Sequence, residues 1–187
     1  MPIHRPLAFR LKSPIDGKGI VSRKKAPEIH CYDYVNHSYQ RVRDALREDA
    51  VTVFRSATKS AVSRAHSIAT ELQIDFGGIG IMADIEVRVK SVEEKLETIP
   101  SPVTSLLLEW QAKSMPGLFP FMRAEFAIYP LTPNETQLDF LGYYEPPFGM
   151  VGKAMNAIVF YRIAEVSVHR FVSDVAGYLR QTLNSQP

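Results

Sequence analysis

The sequence predicts an α+β protein in which one strand and two helices precede an antiparallel run of strands and a long C-terminal helix. Two observations carry this prediction. Apolar and polar residues alternate through most of residues 79–144, which is the period of a strand with one wet face. Pro146-Pro147 ends that pattern, and about thirty residues without a proline follow it. This last stretch predicts a helix that runs nearly to the C-terminus.

The composition is that of an ordinary single-domain protein. The 187 residues include 45% hydrophobic and 22% charged residues, and the net charge of +2 is too small to indicate a specific nucleic-acid partner. The one cysteine, Cys31, excludes an intramolecular disulfide. No apolar run approaches the roughly 18–20 residues that span a bilayer, and the first residues lack the apolar core of a signal peptide. We therefore expect a cytoplasmic protein.

The first 27 residues differ from the rest of the chain. They include seven basic residues, from Arg5 to Lys25, and one acidic residue, Asp16. Several prolines and glycines interrupt any periodicity. This pattern is typical of a mobile basic arm before a single domain at 28–187, and it also fits an arm that touches phosphate. The alternating run Leu7–Leu11 alternatively predicts an added edge strand.

Two helices are predicted after a first strand at Glu28–Val35. A short helix over Tyr39–Arg47 ends near Glu48-Asp49. A longer helix from Ala50 to Leu72 follows from an apolar face that recurs every three or four residues. This face consists of Val51, Phe54, Thr58, Ala61, Ala65, Ile68 and Leu72.

The strands of the antiparallel run are read from alternation and from turn residues. The polar turn Thr132–Glu135 makes its two flanking strands antiparallel neighbours. Glu93–Lys95 is expected in or beside a turn, and Leu96–Ile99 is expected to form a short strand. The remaining predicted strands are Ile79–Lys90, Thr104–Lys113, Phe121–Leu131 and Thr136–Tyr144.

The last helix is predicted from Gly152 to Leu183, and its two halves differ. The second half carries one apolar stripe, which includes Val168, Phe171, Val175 and Leu179. The first half is apolar almost all round, so it must be covered on more than one side. The cover is predicted to be the turn at 148–150, the second helix or a partner subunit.

Several segments resemble a known superfamily. They are TSLLLEWQAK, LFPFMRAEFAIYPL, TQLDFLGYYEPPFGMVG and YRIAEVSVHRF, all from the C-terminal part of the chain. Together with the order of elements, they resemble an uncharacterised bacterial branch of the START-like, helix-grip superfamily, also called SRPBCC, which includes polyketide cyclases and lipid-transfer domains. The resemblance implies a curved sheet around the long helix, with an apolar cavity between them. It carries no catalytic motif across.

The implied cavity defines the candidate ligand-binding residues, all on predicted inward faces or at its mouth. Taken singly, each aromatic member is better interpreted as plain core, and Glu165 as the partner of Arg162 in an ion pair three residues away. The candidates are Trp110, Phe126, Phe140, Tyr144, Phe160, Tyr161, Glu165 and Phe171.

Three functions are compatible with these residues. The first is a non-enzymatic binder or carrier of a hydrophobic small molecule or lipid. The second is a cyclase or dehydratase that uses Tyr144, Tyr161, Arg162 or Glu165 as acid–base groups. The third is a module that forms a homodimer through the first half of the last helix. The five histidines are scattered and no phosphate-binding glycine loop precedes a helix, so neither a metal nor another cofactor is expected.

Overall fold

A computed structural model describes residues 27–71, 85–95, 101–112, 121–145 and 154–185. The predicted basic arm, apart from its last residue, and the short strand predicted at 96–99 lie outside these ranges. The backbone of the last helix is described from Ala154, whereas the side chains of 154–160, including Phe160, are outside the described set.

The described strands form one antiparallel sheet. They are β1 (Glu28–Val35), β2 (Ile85–Lys95), β3 (Val103–Ala112), β4 (Phe121–Thr132) and β5 (Glu135–Glu145). Their order across the sheet is β1-β5-β4-β3-β2, so the first strand of the chain pairs with the last. One helix-forming region follows β1 and a second follows β5, which is the α+β helix-grip arrangement predicted from the sequence.

Strict alternation of burial explains why β4 and β5 form strands. Every second residue is buried from Met122 to Ile128 of β4 and from Thr136 to Tyr144 of β5, while the intervening residues lie on the opposite face. The turn predicted at Thr132–Glu135 joins the two strands, with turn residues at 133 and 134. The inward residues include Met122, Ala124, Phe126 and Ile128 of β4, and Leu138, Phe140 and Tyr144 of β5.

Glu93–Lys95, expected in or beside a turn, do not lie within one, because β2 continues through these residues to pair with the start of β3. A bulge between Val89 and Ser91 shifts the register, so the alternation on which the prediction rested changes phase there. The charged residues are tolerated because β2 lies at the edge of the described sheet, where charge also discourages pairing with another chain.

The two helices predicted after β1 form one continuous element, α1 (Tyr39–Glu71), with a kink. Asp49 has non-helical dihedral angles (φ −144°, ψ 36°), at the position where the sequence predicts the first helix to end. Of the predicted apolar face, Phe54, Thr58 and Ala61 are buried, whereas Val51 is 60% exposed. Val53 and Ala57, which were not assigned to that face, are buried instead. The chain resumes the helix directly after Asp49, without a loop.

The last helix, α2 (Ala154–Asn184), supplies the centre of the core. Its predicted stripe is confirmed: Val168, Phe171, Val175 and Leu179 are fully buried. Phe171 is surrounded by aromatic rings from α1 and from three strands. The ring centroids of Trp110, Phe54, Phe140 and Phe126 lie 4.7, 5.8, 6.1 and 6.5 Å from that of Phe171. We call these five residues the aromatic cluster.

Candidate functional site

The inner face of the sheet has two ends that differ in how their polar groups are satisfied. The first end, which we call the Tyr39 end, is where β1 ends and where β3 and β5 begin. The hydroxyl groups of the buried Tyr39 and Thr104 lie 2.7 Å apart and form a hydrogen bond. Thr136, also buried, donates to the backbone oxygen of His37 at 2.9 Å. These buried hydroxyl groups therefore have partners from the protein itself.

The C-terminal turns of α2 are fastened to this same end. Arg180 donates to the Asp33 carboxylate at 2.6 Å and, through Nε, to the backbone oxygen of Tyr34 at 2.9 Å. Arg41 donates to the backbone oxygen of Leu183 at 2.9 Å, which satisfies one of the carbonyls that a helix end leaves free. The Tyr39 end thus holds both helices and β1 in one hydrogen-bonded arrangement.

At the opposite end, the Tyr144 end, three inward side chains lie in a row across neighbouring strands. Trp110 of β3 is the register partner of Met122 of β4, which is in turn the partner of Tyr144 of β5. The row is continued at one side by Val87 of β2, the partner of Trp110. The hydroxyl group of Tyr161, from the first half of α2, donates to the backbone oxygen of Glu28 at 3.0 Å.

Two polar atoms of this row are buried without a hydrogen bond. Among the described side chains, they are Nε1 of Trp110 and the hydroxyl oxygen of Tyr144. Tyr144 is only 2% exposed, and Trp110 packs partly buried against the core. A buried polar group without a partner costs about 1–3 kcal/mol, and such groups in native proteins usually have a protein, water or ligand partner.

The surroundings keep the Tyr144 hydroxyl protonated. Burial raises its pKa from 10.0 to about 12, since the charged phenolate is disfavoured away from water. At neutral pH this hydroxyl is therefore a hydrogen-bond donor that also retains acceptor capacity, while the indole Nε1–H of Trp110 is a donor alone. The row offers two donors, both attached to large apolar rings.

The other members of the aromatic cluster pack beside this row, and two of them contact Trp110. Trp110 and Phe140 belong to strands two positions apart, yet their ring centroids are only 5.6 Å from each other. Backbones two strands apart are separated by about 10 Å, so the two rings lean together over β4. Gly142 makes room for this arrangement, because a Cβ at that position would lie 2.7 Å from Cε1 of Phe140 and 3.0 Å from Sδ of Met122.

The sequence-predicted candidates fall into three groups in the structure. Phe126, Phe140 and Phe171 are fully buried and contact one another or the same neighbours, as core residues do. Trp110 and Tyr144 lie in the row with the unsatisfied atoms. Their roles in ligand binding remain predictions.

The remaining candidates lie on α2. The Tyr161 hydroxyl is engaged with Glu28, and the Phe160 side chain is outside the described set. Glu165 is partly buried and Arg162 is exposed. Within the described residues no ion pair joins these two side chains, so the predicted structural ion pair is not formed.

Sequence analysis missed Met122 and Gly142 as parts of this arrangement. Met122 belongs to the predicted strand Phe121–Leu131, and nothing in the alternation of that strand marks it as the residue between two unsatisfied donors. Gly142 carries a signal in hindsight, because a glycine inside a strand often marks a close approach of another group. It lies in the segment GYYEPP that the sequence had already singled out.

Other reactive side chains do not add a second site. Cys31 is buried, and burial, followed by nearby Asp139 and Asp33, raises the pKa of its thiol to about 12, which makes it a poor nucleophile. His30 points to the opposite face of β1 and pairs with Asp139 at 3.0 Å. Over the described ranges, His, Cys, Asp and Glu side chains form no cluster of three suited to a metal ion.

None of the helices, as far as they are described, has the length and apolar character to cross a membrane.

Comparison with known proteins gives only distant structural similarity. No family model matches the chain, and no curated protein matches it. Similar solved structures include a conserved protein from Geobacillus kaustophilus (13% identity, TM-score 0.44, 83% of this chain and 97% of that one) and a protein from Thermus thermophilus (12%, TM-score 0.43, 86% and 100%). They also include norcoclaurine synthase from Thalictrum flavum in complex with dopamine and hydroxybenzaldehyde (12%, TM-score 0.36, 95% and 99%). Because these TM-scores lie below 0.5, we base the fold on strand order and register.

Proposed function

We propose that this protein binds a hydrophobic small molecule between the Tyr144 end of the sheet and the first half of α2. The observation that carries the proposal is the pair of buried donors, Trp110 Nε1 and the Tyr144 hydroxyl, which lack partners in the described structure. Small-molecule sites are mostly apolar and contain a few such polar groups, which orient the ligand.

The aromatic cluster limits the size of the ligand. Its rings fill the middle of the space between the sheet and α2, with centroid separations between 4.7 and 6.5 Å. A long acyl chain that ran the whole length of the sheet would have to displace Phe171, which is fully buried. Of the hydrophobic ligands that the fold resemblance suggests, this favours a compact molecule over an extended lipid.

An acid–base enzyme has less support than a binder. Such an enzyme needs at least two ionisable groups within reach of one substrate. Tyr161 donates its hydroxyl hydrogen to Glu28, and Arg162 is exposed. Tyr144 has the burial expected of a general acid, but its pKa of about 12 makes it a group that donates a hydrogen bond more readily than a proton at neutral pH.

Native mass spectrometry of the purified full chain, followed by organic extraction, tests the proposal. We expect a monomer that carries a small apolar molecule, or that takes one up when it is offered. Trp110 is the single tryptophan of the chain, so its fluorescence reports directly on occupancy of the site. An empty protein whose Trp110 emission does not respond to any apolar compound contradicts the proposal. An empty dimer would instead favour the interaction module.

A further inference from the structure

We infer that the ligand is a neutral molecule whose oxygens accept hydrogen bonds from both Trp110 and Tyr144, such as a ketone, a quinone or an ester. This inference rests on the proposed function and specifies the chemistry of the same site. It depends on the kinds of polar atoms that this end of the sheet offers, and on the charges that it does not offer.

The hydrogen-bonding capacity of Trp110 and Tyr144 determines whether the ligand must supply donors or acceptors. The indole nitrogen of Trp110 has no lone pair available for hydrogen bonding, so an acceptor is the only partner that satisfies it. Tyr144 can donate or accept, and burial holds the proton on its oxygen. A ligand with acceptor oxygens satisfies both groups, whereas an ammonium group has no lone pair and would leave Trp110 without a partner.

Among the described residues, no fully buried side chain offers the ligand a charged partner. In the described part of the chain, the buried polar residues are Thr58, Thr104, Thr136 and Ser167, and none of them is charged. Arg162, on the nearby half of α2, is exposed. A buried carboxylate is costly without a paired cation, because it loses its hydration. A neutral carbonyl oxygen needs only the two donors that are present.

Equilibrium dialysis of the full chain against anthraquinone, anthracene and anthracene carboxylate tests the inference. The three probes share one ring frame and differ in carrying acceptor oxygens, no polar atom or a negative charge. We expect anthraquinone to bind about tenfold or more tightly than anthracene, the gain from one or two hydrogen bonds, and the carboxylate to bind most weakly. Tyr144→Phe should reduce the preference for anthraquinone while leaving anthracene affinity unchanged.

Spectroscopy and a matched control separate this inference from a general effect on folding. Trp110 gives the single indole N–H signal in a proton–nitrogen correlation spectrum, and that proton should move downfield with anthraquinone but not with anthracene. Tyr39→Phe, which removes a hydroxyl that already has a partner at the opposite end of the sheet, should keep the full preference.

The outcomes distinguish the inference from the proposed function. Equal binding of anthraquinone and anthracene would overturn the inference and leave the proposed function standing. Tightest binding of the carboxylate would contradict the inference that the ligand is neutral. Failure of all three probes to bind, together with an unchanged indole signal, would contradict both the inference and the proposed function.

Discussion

The two ends of the inner sheet face each contain a buried tyrosine, and they differ in whether its hydroxyl group has a hydrogen-bond partner. Each has a buried tyrosine: Tyr39 is 6% exposed and Tyr144 is 2% exposed. The Tyr39 hydroxyl is bonded to Thr104 at 2.7 Å, and the surrounding arginines fasten α2. The Tyr144 hydroxyl has no partner among the described residues. The difference indicates that one end is built for stability, and it leaves the other as the candidate site for an incoming molecule.

The largest effect on stability is expected from a substitution in the core that both ends share. Phe171→Ala should lower the free energy of unfolding by about 3–5 kcal/mol, because the substitution leaves a cavity between four aromatic rings. Chemical denaturation measures the loss. Phe121→Ala is the matched control, since Phe121 lies on the outer face under Arg123, and it should cost much less. Equal losses would show that the aromatic cluster is not the main core.

The Tyr144 end should respond to added volume. Gly142→Ala places a Cβ 2.7 Å from the Phe140 ring and 3.0 Å from the Met122 sulfur, so we expect a loss of about 1–3 kcal/mol and weaker ligand binding. Gly177→Ala provides the control, because nothing lies within 4 Å of its added Cβ. That control should gain about 0.5–1 kcal/mol from helix propensity. A stable Gly142→Ala protein would mean that Phe140 and Met122 move freely.

A pair of conservative substitutions tests the two ends directly. Tyr39→Phe should cost about 1–2 kcal/mol, because the Thr104 hydroxyl then stays buried without its partner. Tyr144→Phe should leave the stability of the ligand-free protein unchanged or raise it, since it removes an unsatisfied hydroxyl. Urea denaturation of both variants provides the values. If Tyr144→Phe proves as costly as Tyr39→Phe, its hydroxyl has a partner and the contrast between the ends disappears.

At neutral pH the smallest effect is expected from the buried region between the ends, where Cys31 of β1 lies opposite Phe140. Burial raises the pKa of its thiol from 9.0 to about 12, so the folded state holds this proton more tightly than the unfolded chain. The resulting stabilisation is complete below pH 9.0 and is lost as the pH rises towards about 12. Denaturation midpoints measured across this window should fall less steeply for Cys31→Ala than for the natural chain. Parallel slopes would indicate that water reaches the thiol.

Local sequence rules account for most of the fold. Alternation at Met122–Ile128 and the three-to-four spacing around Phe171 correctly predicted which faces are buried, because these periods follow from backbone geometry alone. The break at Asp49 was also predictable from the end of one apolar stripe and the start of another. The bulge in β2 was not, since the phase of its alternation depends on its pairing with β3.

The sequence by itself determined the α+β architecture, the inward faces of β4, β5 and the second half of α2, and the candidate status of Trp110 and Tyr144. Only the tertiary structure decided that these two share a row across Met122, that their donors lack partners, and that Phe126, Phe140 and Phe171 fill the space beneath them. The physical reason is that burial follows from the period of each element, whereas hydrogen-bond satisfaction depends on atoms from strands far apart in the chain. Tyr39 and Tyr144 are indistinguishable by residue type, and only the tertiary structure, which brings the start of α1 to the start of β3, gives one of them a partner.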